Sequence, residues 1–391
     1  MGIELLFLLL PFAALSGWWI GRRGTVRSEK ESSGCPPLSS DFFKGLNYLL
    51  DEQPDQALEV FIRMSEVDSE TVEIQFALAS LFLRRGEADR AIRIHQNLMA
   101  RPMLSREQRK KALYELGLDY MRAGLLDRAE SLFHELTDDF HYSVPSRRQL
   151  LDIYQQEKEW EKAIDVARQL NGKRDKAYSL VIAHYYCELA ELAVKSGEMG
   201  KAEKLLSRAF SEDRNCVRAS LLEAEVAQQQ QHIKQAIRAY KRVETQDLEY
   251  LPLVVKPLRQ CYEQIGQQEE YLQYLRFLSS KEQGISLLLA LSRELSDHGM
   301  KHQAITMLHD SLRSRPSLRA LDYLLELRGE DDSAASSAEL SALRDVIHML
   351  LEGKPVYQCG HCGYTSRTLQ WQCPSCKQWG TIKPIHGIEG E

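Results

Sequence analysis

Two Cys-x-x-Cys pairs near the C-terminus carry the clearest chemistry in the sequence. Cys359 and Cys362 flank Gly-His, Cys373 and Cys376 flank Pro-Ser, and ten residues separate the pairs. Two cysteines three apart around a tight turn aim both sulfurs at one point, and N–H groups of the turn can bond the thiolates. Gly360 and Gly363 permit the left-handed backbone such a knuckle needs, and Pro374 stiffens the second. Two knuckles together supply four thiolates around one metal ion, iron or zinc. All four positions are then taken by protein, so no site is left for a substrate, which argues against a catalytic metal. Two disulfides or a thioredoxin-like dithiol are the other chemistry open to these cysteines. A redox pair needs a βαβ context that is absent here. Residues 354–391 are too few to build a core alone, so the ion is expected to supply the folding energy. Tyr357, Tyr364, Trp371, Trp379 and Ile382 are expected to pack around it.

The elements that precede this cluster repeat. A Gly closes one helix and an Ala follows five residues later on the next, at Gly86 and Ala91, Gly124 and Ala129, Gly197 and Ala202, and Gly299 and Ala304. The same Ala recurs without the Gly at Ala57, Ala163 and Ala236, and Gly266 with Tyr271 is a degenerate copy. Ala57 to Ala91, Ala129 to Ala163 and Ala202 to Ala236 are each 34 residues apart, the period of tetratricopeptide repeats. Gly45 and Gly117 take the small position where paired helices approach. Tyr48, Phe82, Tyr120 and Tyr154 take the aromatic place that follows, and Phe61, Phe133 and Tyr240 the large place on the second helix. Pro316 sits where a repeat ends. Each helix pair is too small to bury its own apolar face, so stacked neighbours must bury it together. The first helices of such an array line a groove that commonly holds another polypeptide. Cys187, Cys216 and Cys261 fall on these helices and read as packed thiols, and Cys35 as a free thiol in the linker. His95, His184, His298, His302 and His309 read as groove or surface polar residues. His298 and His302 are four apart, but Gly299 intervenes at a turn and argues against a helical metal pair.

At the other end, Ile3 to Gly21 is almost wholly apolar with Glu4 its one charge, near the minimum length for a bilayer crossing. Trp18 and Trp19 suit an interface, and Arg22, Arg23 and Arg27 after the span place the remainder in the cytoplasm. A signal peptide would carry its positive charge before the apolar run. Between the repeats and the cysteines, Gly329 to Ala338 reads as an acidic, small-residue hinge. A helix with Leu340, Leu343, Val346, Ile347, Leu350 and Leu351 on its apolar face follows, ended by Gly353 and Pro355.

The chain has 391 residues, 43% hydrophobic and 27% charged, which excludes wholesale disorder. Lys plus Arg is 50 against 56 Asp plus Glu, so no broad basic surface for nucleic acid is available. The P-loop, His-Glu-x-x-His, Gly-x-Ser-x-Gly and Gly-x-Gly-x-x-Gly patterns are absent, so catalysis has no residues to hang on. The expected fold is all-α, a tetratricopeptide-repeat superhelical solenoid with an N-terminal transmembrane helix and a small C-terminal rubredoxin or zinc-ribbon-like β metal module. Its expected parts are an anchor (1–23), a linker (24–40), a solenoid of about eight units (41–328), hinge and amphipathic helix (329–353) and the four-cysteine module (354–391).

The layout as a whole resembles the lipopolysaccharide assembly protein B family of Gram-negative bacteria. The resemblance rests on the N-terminal span with Arg22 and Arg23, the repeats, and the closing Tyr357-x-Cys359, Trp371-x-Cys373-Pro374-x-Cys376 and Trp379-x-Thr381-Ile382-Lys383-Pro384-Ile385. It implies Cys359, Cys362, Cys373 and Cys376 as metal ligands. It also implies a non-enzymatic inner-membrane adaptor facing the cytoplasm, which limits lipopolysaccharide synthesis by promoting proteolysis of the lipid A pathway deacetylase. Its implied partners are a membrane AAA-type protease, that deacetylase and a lipopolysaccharide-sensing inner-membrane protein, with self-association also open and no nucleic acid. The family's rubredoxin-like pattern departs at one place: Gly363 closes the first knuckle, whereas Lys377 stands where rubredoxins carry a second glycine. Three other readings stay open. One is a generic membrane-tethered scaffold. Another is an iron electron carrier. The third is a nucleic-acid-binding ribbon, since the module also resembles the zinc finger of a bacterial DNA-repair ATPase, though with only Lys354, Arg367, Lys377 and Lys383 as cations.

Overall fold

The computed structural model describes residues 72–391 except 103, 172–175, 283 and 330–333, together with part of residues 43–61. The expected span and linker, with Cys35, lie outside the described residues. Among the described residues no helix is long and apolar enough to cross a membrane. The chain divides into two compact units, Met1–Leu132 and Phe133–Glu391.

In the first unit, α1 (Val72–Arg84), α2 (Ala88–Met99) and α3 (Arg106–Arg122) pack in sequence. Ala57, Phe61, Leu78, Phe82 and Ala91 form one apolar cluster, and Phe76, Leu98 and Ala112 another. Gly45 is small for a visible reason: a Cβ there would stand 2.7 Å from the Phe61 ring. Ser105 caps α3, its hydroxyl accepting from the Gln108 N–H while the Gln108 side chain accepts from the Ser105 N–H.

The next helix, α4 (Leu126–Glu135), runs through the unit boundary. The second unit continues with the pairs α5 (Ser143–Glu157) and α6 (Trp160–Leu170), α7 (Lys176–Lys195) and α8 (Met199–Glu212), and α9 (Val217–Gln229) and α10 (Ile233–Gln246). After a 3₁₀ turn (Leu248–Tyr250) come α11 (Leu251–Gln264) and α12 (Gln268–Lys281), α13 (Ile285–Asp297) and α14 (Lys301–Ser314), and α15 (Leu318–Gly329) and α16 (Ala334–Leu351). Pro316 falls between α14 and α15, as the repeat pattern requires. The helix α16 begins inside the stretch read as a hinge. Its apolar face is mostly open: Ile347 is buried, but Leu343, Val346, Met349 and Leu350 are exposed. Ion pairs hold it to α15, Arg344 to Asp322 and Glu326 at 2.9 and 2.8 Å.

The repeat signature has one backbone cause. Gly86, Gly124, Gly197, Gly266 and Gly299 all take left-handed φ between 70° and 80°. After each, the next N–H reaches back to the same carbonyl of the ending helix, as Glu87 to Phe82 (2.9 Å) and Leu125 to Tyr120 (2.8 Å). The repeats without glycine keep this turn. Lys158 (φ 59°) and Gln231 (φ 63°) adopt it, and Glu159 and His232 donate to Tyr154 and Ala227. Five residues after each turn, Ala91, Ala129, Ala163, Ala202, Ala236 and Ala304 are fully buried, so neighbouring helices can close to contact.

A three-stranded antiparallel sheet ends the chain, in the order β2 (Thr365–Ser366), β1 (Tyr357–Cys359), β3 (Ile382–Pro384). Tyr357 pairs with Ser366 on one side and Pro384 on the other.

A side chain at left-handed φ costs roughly 1–2 kcal/mol that glycine avoids, part of it offset by the greater freedom of unfolded glycine. Gln231→Gly is therefore expected to stabilise the second unit by about 0.5–1 kcal/mol. Urea unfolding monitored by circular dichroism would show the midpoint rising, and an unchanged or lower midpoint contradicts this account.

Candidate metal centre

The sheet and the two knuckles bring the cysteines together. The two knuckles are near copies. Cys359 N–H donates to Tyr364 O (2.7 Å) and Cys373 N–H to Gln378 O (2.8 Å). Gly363 N–H donates to Cys359 O (3.0 Å) and Lys377 N–H to Cys373 O (2.9 Å). Gly363 turns with φ 78°, and Lys377 takes φ 60° in the equivalent place. The missing second glycine thus changes the strain of the knuckle and leaves its shape intact.

The four Sγ atoms lie within 4.8 Å of one another. Cys359 to Cys376 is 3.8 Å and Cys362 to Cys373 is 3.6 Å. A tetrahedron with metal–sulfur bonds of ~2.3 Å has edges of about 3.8 Å, so the residues fit one thiolate-bound ion. Burial works to raise the Cys359 thiol. The Thr381 hydroxyl, 3.2 Å away, and the N–H groups of Cys362 and His361 prevail and bring it down to about 6. Cys376 moves the other way: the Gln378 N–H lowers it, but burial and the three neighbouring sulfurs prevail and push it up. Without a cation, four thiolates this close repel, and the last proton is held tightly. An ion removes that conflict.

Of the residues expected around the ion, Tyr357, Tyr364 and Ile382 pack with the cysteines. Trp371 and Trp379 do not. They leave the module and enter the second unit along its first helices, because a flat knuckle pair offers no pocket for an indole and the repeats do. Trp379 stacks on His184 at 5.1 Å between ring centres, meets Tyr185 and Trp160 edge-on, and its Nε1–H donates to Gln155 at 3.2 Å. Trp371 lies against His184 and Tyr250. The Tyr250 hydroxyl donates to Ile382 O at 3.0 Å. Arg218, 3% exposed, stands 5.9 Å from both indole centres and is held by Glu188 and Glu191 at 2.9 and 2.6 Å. Burial and the Arg218 charge push His184 down to about 3, so this imidazole is neutral and can stack beside a guanidinium.

The tail beyond β3 is strapped on as well. Leu318 N–H donates to Ile388 O at 2.9 Å, and Glu391 accepts from the Ser286 N–H (2.9 Å) and Arg319 (2.8 Å). Two of the module's four cations form ion pairs: Lys383 reaches Asp247 and Glu249 in the repeats, and Lys354 pairs with Glu389 within the module.

Several sequence expectations change here. His184 is a buried contact for the module, and His95 is a buried partner of Asp119 at 2.6 Å, so neither is a surface residue. His184 does face the groove, but there the module covers it, whereas His95 is buried between α2 and α3. His298 ends α13 and His302 lies on α14, as expected of two residues across a turn. Cys187, Cys216 and Cys261 are buried thiols. The residues that sequence reasoning missed are Gln155, Arg218, Tyr250, Ser286 and Arg319. No motif marks them, and the one available signal was the pair of tryptophans beside the knuckles.

Two outcomes are expected. Purified chain should carry about one metal ion, and Cys373→Ser should lose it, as read by elemental analysis. Full occupancy in that variant would contradict the thiolate cage. Arg218→Ala leaves two carboxylates and two indole faces without their buried cation, and should destabilise the second unit by about 3 kcal/mol. A loss below about 1 kcal/mol in urea unfolding would reduce the clamp to an exposed ion pair.

A family model described as a rubredoxin metal binding domain matches residues 357–384, and one described as a tetratricopeptide repeat matches residues 44–101. The chain is 38% identical over 389 residues to lipopolysaccharide assembly protein B of Escherichia coli (strain K12), covering 99% of this chain and 100% of that protein. It is 33% identical over 396 residues to the protein of the same name from Haemophilus influenzae, covering 99% of each. With repeats, a four-cysteine module for one metal ion, and this agreement from end to end, the chain belongs to the lipopolysaccharide assembly protein B family.

Proposed function

We propose that this chain is a non-enzymatic adaptor in lipopolysaccharide assembly, held at the inner membrane by residues 1–23 with its bulk in the cytoplasm. The observation that carries this reading is its end-to-end similarity to proteins named for lipopolysaccharide assembly, on a repeat scaffold of the kind that binds polypeptides. Cys359, Cys362, Cys373 and Cys376 hold one ion, and the ion keeps the module seated on α5, α7 and α9. The module's work is thereby structural: it stiffens the second unit and covers the first-helix face of these repeats.

The adaptor acts by bringing the lipid A pathway deacetylase to a membrane AAA-type protease, and a lipopolysaccharide-sensing inner-membrane protein opposes it. A tether raises the effective concentration of the repeats toward such membrane partners. Partners then contact surfaces that the module leaves open.

Full chain carrying an affinity tag, captured from detergent-solubilised membranes, should bring the protease and the deacetylase with it. Cells lacking the chain should hold the deacetylase at a higher level, and Trp379→Ala should reproduce part of that rise by unseating the module. An unchanged deacetylase half-life in cells lacking the chain would overturn the adaptor reading.

A further inference from the structure

Beneath the module lies a second pair of sulfurs. Cys187 on α7 and Cys216 at the start of α9 have their Sγ atoms 3.9 Å apart, and both are buried. They are 29 residues apart in the chain and belong to adjacent repeats, so only the stacking of α7 on α9 brings them together. Their surroundings differ. Cys216 is the N-cap of α9, where unpaired N–H groups and the helix dipole favour a thiolate. A hydrogen bond from Cys187 lowers its thiol most, burial opposes, and the Ala219 N–H and Arg218 lower it further. Cys187 is fully buried, and burial, with the Cys216 hydrogen bond after it, pushes its thiol up. One sulfur is thus prepared as a nucleophile, and the other stands beside it with a proton.

We propose that Cys187 and Cys216 form a dithiol site that a hydroperoxide converts reversibly to an intramolecular disulfide. The Cys216 thiolate attacks one peroxide oxygen, the O–O bond breaks, and the hydroxide that leaves takes a proton to become water. Cys216 is then a sulfenic acid. The Cys187 sulfur attacks the Cys216 sulfur, the S–S bond forms and the S–O bond breaks. The departing hydroxide takes the Cys187 proton as a second water. Two thiols have lost two electrons, and hydrogen peroxide has become two waters.

Geometry favours this pair. The sulfurs must close from 3.9 Å to a bond of about 2 Å, which side-chain rotation and a small shift of the α9 start can provide. Cys187 is fully buried and Cys216 is 4% exposed, so bulky oxidants are excluded and the reaction calls for the smallest hydroperoxide. A cavity of about 550 Å³ lined by Glu191, Arg218 and Trp371 lies next to the pair, Arg218 being two residues from Cys216. The module's own thiolates are occupied by their ion and compete less for oxidant.

The test uses the full chain in detergent, loaded with metal and treated with a few equivalents of hydrogen peroxide. Free thiols are then blocked under denaturing conditions and peptides mapped without reductant. The expected product is a peptide pair joined through Cys187 and Cys216, two mass units lighter than the separate peptides, which dithiothreitol reverses while metal content is unchanged. Cys187→Ala should stop the reaction at Cys216, trapped by dimedone as the sulfenic acid. Finding Cys187 and Cys216 both reduced while other cysteines oxidise, or either one joined to a different cysteine, would overturn the proposal. Mapping of the unaltered chain decides the matter even if the variant fails to fold.

Discussion

Four sulfurs held within 4.8 Å of one another set the terms for the whole C-terminal half. As thiolates they repel, and as thiols they leave the knuckles without their organising charge. A single cation between them resolves the conflict and supplies binding energy that a three-stranded sheet of so few residues lacks. Every contact that the module makes with the repeats depends on that small rigid body existing. Trp371 and Trp379 can be presented side by side because the second knuckle between them is closed, with Gln372 and Trp379 bridged across it.

The platform that receives them is equally specific. Arg218 is a buried cation with two carboxylates on α7 and two indole faces above it, so its charge is matched and its flat surface is covered. A charged His184 would add a second cation to the same spot, and burial keeps it neutral. Gln155, His184, Arg218 and Tyr250 all come from first helices or the turn before one. The face that repeat arrays ordinarily keep for a partner is, in the second unit, occupied by the chain's own module. Farther along that unit, the α16 face leaves Leu343, Val346, Met349 and Leu350 exposed.

The same backbone rule governs the repeats and the knuckles. A left-handed residue ends the first helix of these repeats or closes a knuckle, so that the following N–H can fold back. Glycine fills most such places, but Lys158, Gln231 and Lys377 accept the conformation where it is missing. The hydrogen bonds around these three match those around the glycines. A modest local cost is tolerated because the surrounding packing determines the turn.

Much of this protein was legible in its residues. The recurrence of Ala57, Ala91, Ala129, Ala163, Ala202 and Ala236, 34 residues apart in three of its five steps, is local chemistry: a small residue one turn past a helix end, repeated wherever two helices must touch. The four cysteines are likewise local, since a Cys-x-x-Cys turn carries its own geometry. Both survive in the structure, as do the buried thiols and the helix that precedes the module. What the sequence could not supply was which distant surfaces meet. Trp379 and Gln155 are 224 residues apart, Glu391 and Ser286 are 105, and no periodic pattern links them. Trp371 and Trp379 looked like wrapping for an ion, because near neighbours are the default partners when only order along the chain is known. The stacking of α5, α7 and α9 instead created a slot lined by Gln155, His184, Arg218 and Tyr250 that takes both indoles and leaves Trp379 6% exposed.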